Sequence, residues 1–113
     1  MITFHSYAGP SGFENRINEL TPLGRPILCT EYMARPQGST VESILPVAKR
    51  HNVGAINWGL VAGKTQTYFP WDSWDHPYTS VPKVWFHDLI RPEGRPFQDI
   101  EALTVRKLAG SQT

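Results

Sequence analysis

The chain has 113 residues, 40% of them hydrophobic, and its 11 Lys and Arg against 10 Asp and Glu leave a net charge of +1. That size and balance suit one globular domain over residues 1–113 rather than a disordered segment. They exclude a basic tract able to follow a nucleic-acid backbone, and apolar runs of about five residues fall far short of the roughly 20 that cross a bilayer. Cys29 is the only cysteine, which rules out an internal disulfide and a Cys-rich metal site. Met1 to Tyr7 lacks the basic start and apolar centre of a signal peptide. The expectation is therefore a cytoplasmic protein or a chain whose true beginning is missing, with the compartment left open.

Ile2 to Tyr7 is rich in β-branched and aromatic residues and predicts a first strand. Phe13, Ile17 and Leu20 recur at i, i+4 and i+7 with polar residues between them, so an amphipathic helix follows, ending near Pro22 and Gly24. Pro26 to Met33 predicts a second strand whose near-continuous apolar run suits burial on both faces. Strict alternation puts Ile27, Cys29 and Glu31 on one face and Leu28 and Thr30 on the other, so Glu31 tops an apolar column. Val41, Ile44, Leu45 and Ala48 predict a second helix to about His51, with Ser39 and Glu42 as a capping box. Pro46 lies inside that helix, and a kink is expected there.

Val53 to Val61 reads as a third strand, and Ala62 to Pro82 as a long loop carrying Tyr68, Phe69, Trp71, Trp74 and Tyr78. Ordered loops of that length usually serve a function, and so many aromatics argue against disorder. Lys83 to Ile90 predicts a short helix, Arg91 to Pro96 a turn, and Gln98 to Ala109 a last helix with Asp99 as N-cap. Strands alternating with helices predict an α/β fold of parallel strands joined by right-handed crossovers, with the helices on one side.

His5 and Tyr7, Glu31, and Asn57 with Trp58 end the three strands, at offsets of 26 and 27 residues from His5 to Glu31 and from Glu31 to Trp58. Equal β-α units end on the same side of a sheet, so these residues are expected to meet at the rim where α/β proteins build their sites. A carboxylate there needs a partner, and His5, Tyr7 or Arg35 can supply one. Plainer readings stand beside this: Glu31 paired with Arg35 as structure, His5 and Trp58 as core, and the aromatic loop as a satellite core.

Ile27-Leu28-Cys29-Thr30-Glu31-Tyr32 and Ile56-Asn57-Trp58-Gly59-Leu60 resemble the seventh and eighth strands of clan A glycoside hydrolases, families 5 and 2 being the nearest types. His5-Ser6-Tyr7 is similar to the His-x-Tyr that ends the sixth strand in family 5. The resemblance implies part of a TIM (β/α)8 barrel, three parallel strands with intervening helices. It makes Glu31 the nucleophile of a retaining β-glycosidase, Tyr7 its hydrogen-bond donor with His5 alongside, and Trp58 and Asn57 contacts of the reacting sugar. An intact member would be extracellular or periplasmic.

Flat aromatic faces pack on sugar C–H faces, which makes Trp71 and Trp74 candidates for outer subsites. A full barrel takes about 250 residues, and the clan's acid/base Glu follows an Asn at the end of the fourth strand. The one Asn-Glu pair, Asn18-Glu19, lies in a predicted helix. The chain is thus expected to be a truncated product or a piece carrying the nucleophile half, inactive alone. Its partners would be the missing N-terminal barrel units, or a second copy met through exposed strand edges.

Other chemistries find little support. No Gly-x-Ser-x-Gly elbow occurs, and Cys29, in mid-strand, makes a poor nucleophile. His5, His51, His76 and His87 lack metal-ligand spacing, and no Gly-rich turn follows a strand, so no metal or cofactor is expected. The alternative from another class is a non-catalytic carbohydrate-binding or structural module that uses the aromatic loop and gives Glu31 no chemical role.

Overall fold

The computed structural model describes residues 1–110. Its three strands, β1 (Ile2–His5), β2 (Ile27–Tyr32) and β3 (Gly54–Asn57), form one parallel sheet in the order β1-β2-β3. Helix α1 (Pro10–Leu20) links the first pair, α2 (Val41–Arg50) the second, and α3 (Asp99–Leu108) packs against α2. The α/β alternation is therefore present with the predicted polarity. Each strand is shorter than its apolar run, and Val61 makes an isolated parallel bridge to Ile90 instead of extending β3.

Periodicity becomes core packing. Phe13 and Ile17 of α1, Val41, Ile44, Val47 and Ala48 of α2, and Cys29 and Tyr32 of β2 form one buried cluster, with Phe4 and Ala55 packed against it. Helix α1 begins with Pro10 in its first turn and closes where the Thr21 hydroxyl donates to the Ile17 carbonyl at 2.7 Å. A short 3-10 turn, Thr21–Leu23, then ends at Gly24, whose φ of 64° suits a residue without a Cβ. At the far end of the helix pair, Glu14 of α1 binds Arg50 at 2.9 Å and His51 at 2.7 Å. The second face of the sheet is bare, with Thr3, His5, Gly54 and Ile56 exposed.

Three local expectations need correction. The cap of α2 is Thr40 with Ser43, not Ser39 with Glu42: the Thr40 hydroxyl accepts from the Ser43 N–H and the Ser43 hydroxyl from the Thr40 N–H. Ser39 is instead buried, its hydroxyl accepting from the Met33 N–H at 3.0 Å. The N-cap of α3 is Gln98, and Asp99 is its first helical residue, where a carboxylate still meets the positive end of the helix dipole. Helix α2 runs through Pro46 without the break that a kink was expected to replace.

Lys83 to Ile90 is not a helix. Its N–H groups reach across to other segments, from Phe86 to Tyr68 O and from Leu89 and Ile90 to Leu60 O, while Phe86 O accepts from Arg35. Trp85, Phe86, His87 and Asp88 are all buried, whereas a helix would have turned some of them outward.

Candidate functional site

A bulge sets the face on which Glu31 lies. Phe4 pairs with Cys29 but His5 pairs with Glu31, so Thr30 is an extra residue on β2. One inserted residue reverses the alternation beyond it. Glu31 consequently leaves the helix-facing side of Cys29 and stands opposite His5, while Tyr32 takes the core side at 2% exposure. The expectation that Ile27, Cys29 and Glu31 share a face is overturned, and the carboxylate does not top the apolar column.

Tyr7 and His5 both approach this carboxylate. The Tyr7 hydroxyl donates to Glu31 Oε2 at 2.6 Å, and His5 Nδ1 lies 3.5 Å from the same oxygen. Oε1 has no partner among the described residues. Burial, and then the hydrogen bond to Glu31, raise the Tyr7 pKa well above the ordinary phenol range, so the group stays a donor. Arg35 is not a partner of Glu31. It points the other way, pairing with buried Glu101 through both oxygens at 2.8 Å and donating to Trp85 O and Asp88 O.

Beyond Glu31 the backbone is held in an unusual shape. Met33 has a φ of 91° and is completely buried. Positive φ at a residue with a Cβ is strained and persists only where the surroundings over-determine it. Here the Met33 N–H is held by Ser39 and its carbonyl accepts from His87 Nδ1. Gly59, with a φ of 83°, follows Trp58, and a Cβ there would stand 2.7 Å from Asp88 Oδ1 and 3.0 Å from His87 Cβ. Asp88 itself is 1% exposed and accepts from the Thr67 hydroxyl at 2.9 and 2.8 Å.

Beside this rim lies a cavity of about 260 Å³, near the lower end of the ~300–1,000 Å³ typical of ligand pockets. Trp58, Phe69, Trp71 and Trp74 give it aromatic walls, Gln66, Thr67 and Ser73 give it amide and hydroxyl groups, and His87 reaches it from the core. Trp71 joins the cavity to the carboxylate. Its ring meets Tyr7 edge-on with centroids 5.3 Å apart, and its indole N–H donates to His87 Nε2 at 2.9 Å.

The candidates named from sequence are thus brought together unevenly. His5 and Tyr7 both approach Glu31, while Trp58 and Trp71 line the neighbouring cavity. Trp74 lies on its outer lip at 92% exposure. Asn57 turns its amide onto the Gly59 carbonyl and shapes the turn instead of facing the cavity. His87 is the residue that sequence reading passed over. Its one signal was a polar residue set between Phe86 and Asp88 in an aromatic run, a place where buried polar groups need partners.

Among the described residues no group of three or more His, Cys, Asp or Glu could hold a metal ion, and no helix is long and apolar enough to cross a membrane. Comparison with protein-family models, curated proteins and solved structures returns no match.

Proposed function

We propose that this chain is the nucleophile-bearing part of a retaining β-glycosidase, with Glu31 attacking the anomeric carbon and the aromatic cavity holding neighbouring sugar. The observation that carries the reading is the Tyr7 hydroxyl donating to one oxygen of Glu31 at 2.6 Å while the other oxygen has no partner among the described residues. Donation to Oε2 fixes the carboxylate, and Oε1 supplies the electron pair. As the bond from Oε1 to the anomeric carbon forms, the bond to the leaving oxygen breaks, giving a glycosyl ester that water later cleaves. The second carboxylate of such a machine stands about 5–5.5 Å from the first and protonates the leaving oxygen. The one Asn-Glu pair, Asn18-Glu19, lies in helix α1 and not at a strand end, so the reading assigns this partner to other β-α units.

The bare sheet face and the outer edges of β1 and β3 support a partial barrel, because parallel sheets normally have both faces covered and closure into a barrel removes the edges. Five more β-α units would close the edges and turn the bare face into a barrel interior. The flat faces of Trp58 and Trp71 supply the apolar surface that a pyranose ring packs on, and Gln66, Thr67 and Ser73 supply hydroxyl partners.

A 2-deoxy-2-fluoroglycosyl fluoride tests this directly, since its leaving group needs no acid. Incubated with the protein that includes the upstream units, it is expected to add one glycosyl mass to the peptide containing Glu31. Label on another carboxylate, with Glu31 unmodified, would defeat the assignment. The second reading, a sugar-binding module without hydrolysis, is favoured by the exposure of Trp74 at the cavity lip; it predicts oligosaccharide binding, no label, and indifference to Glu31→Gln.

A further inference from the structure

We propose that His87, held as a neutral ring between Met33 and Trp71, is a positioning residue that fixes the Trp71 wall of the cavity and releases it when protonated. The inference deepens the sugar-site reading and rests on it for its functional meaning, though the device itself is plain in the geometry.

The hydrogen bonds admit one tautomer. An indole N–H can only donate, so His87 Nε2, which receives it at 2.9 Å, must carry the lone pair. The proton then sits on Nδ1 and is donated to the Met33 carbonyl. The ring is 2% exposed, so water cannot replace either partner cheaply. Trp71 has no such security of its own. It begins a single 3-10 turn, Trp71–Trp74, in a long loop, is 44% exposed, and among the described residues its side chain has His87 as its one polar anchor. Its other holds are ring contacts with Tyr7 and with Phe86, the latter at 5.2 Å. His87 therefore ties the strained end of β2 to the wall that stands beside the Tyr7–Glu31 pair.

Protonation would place a second N–H on Nε2, facing the indole N–H donor against donor. The groups around the ring pull both ways. Burial opposes the charge most strongly and the Arg35 guanidinium adds to it, while the Met33 carbonyl and the Asp88 and Glu31 carboxylates favour the charge. Tyr7, whose ring centroid is 5.7 Å away, stays an uncharged phenol. The balance holds His87 below the ordinary histidine range and keeps the wall in place at neutral pH.

The test follows the four indole N–H signals of the full ¹⁵N-labelled chain from about pH 7.5 to about pH 4.5, Trp71 being assigned with Trp71→Phe. The Trp71 signal is expected to move in step with the His87 ring signals, at a midpoint below the usual histidine value. In His87→Gln it should stay put, because the glutamine amide can accept from Trp71, donate to Met33 and never titrate. An indole signal that ignores His87 titration overturns the proposal. So does an unchanged pH response in His87→Gln, which would assign the effect to Asp72 or His76. Should that variant not fold, the native titration decides alone. Binding of a neutral β-linked tetrasaccharide provides the second arm: about 3- to 10-fold weaker binding is expected on protonation in the native chain only, the worth of one neutral hydrogen bond. No sugar binding at any pH, with the indole coupling intact, would sink the sugar-site reading and leave the positioning role standing.

Discussion

Removing the Arg35 side chain is expected to be the most damaging single truncation outside the apolar core. The guanidinium donates from Nε and Nη2 to the two oxygens of Glu101 at 2.8 Å each, and to Trp85 O at 2.8 Å and Asp88 O at 2.9 Å. It also stacks on Phe97, 4.5 Å from the ring centre. Both partners are secluded, the side chains of Arg35 and Glu101 being 5% and 2% exposed. Arg35→Ala leaves a carboxylate buried and unpaired, a change that costs about 3–5 kcal/mol. Whole domains have only about 5–15 kcal/mol. With a urea slope of about 2 kcal/mol per molar, the tryptophan-fluorescence midpoint should fall by about 2 M. Arg35→Met with Glu101→Leu removes both charges and should recover most of the loss, because the stranded charge is the main penalty. An Arg35→Ala midpoint within about 0.5 M of native, or a double variant no better than the single one, would refute the reasoning.

Three further outcomes are expected. Gly59→Ala combines a φ of 83° with a Cβ only 2.7 Å from Asp88 Oδ1, whereas Gly24→Ala has a φ of 64° and open space; urea unfolding should cost Gly24→Ala about 1 kcal/mol and Gly59→Ala clearly more, and equal costs would contradict the close approach. Burial pushes the Cys29 thiol up to about 11, so a disulfide reagent at about pH 8 should react slowly with the folded chain and quickly in denaturant; prompt reaction when folded would contradict its burial. Burial and Glu31 raise the Tyr7 pKa, and burial raises that of Tyr32. The unfolded phenols then lose their protons first, so this stability is whole below about pH 10 and fades as pH rises beyond it. In an ultraviolet titration Tyr7→Phe should remove no absorbance change below about pH 11, and loss of an early-ionising tyrosine would contradict the contact.

Much of the frame could be read from residue patterns because burial enforces them. Phe13 and Ile17 one helical turn apart, and Val41, Ile44 and Ala48 likewise, can be buried together in only one way, and they mark the helices that cover the sheet. What escaped lay in local choices of similar energy. Ser39, Thr40 and Ser43 can all cap, and the outcome turned on Ser39 being needed by the Met33 N–H. The bulge at Thr30 has no sequence mark, yet it decides which face Glu31 takes. Arg35 was one of three candidate partners for Glu31, but it pairs with Glu101, 66 residues away, where no spacing rule reaches. The apolar run around Trp85 looked helical because apolar content alone does not distinguish a helix from an irregular segment whose middle is buried.

The most direct test of the central claim is the rate of aryl β-glycoside hydrolysis by this chain joined to the upstream β-α units that the proposal requires, measured with and without Glu31→Gln. The account predicts turnover by the joined protein, a fall of roughly 10⁴-fold or more on Glu31→Gln, and no appreciable turnover by residues 1–113 alone. Activity in the joined protein that survives Glu31→Gln would contradict it.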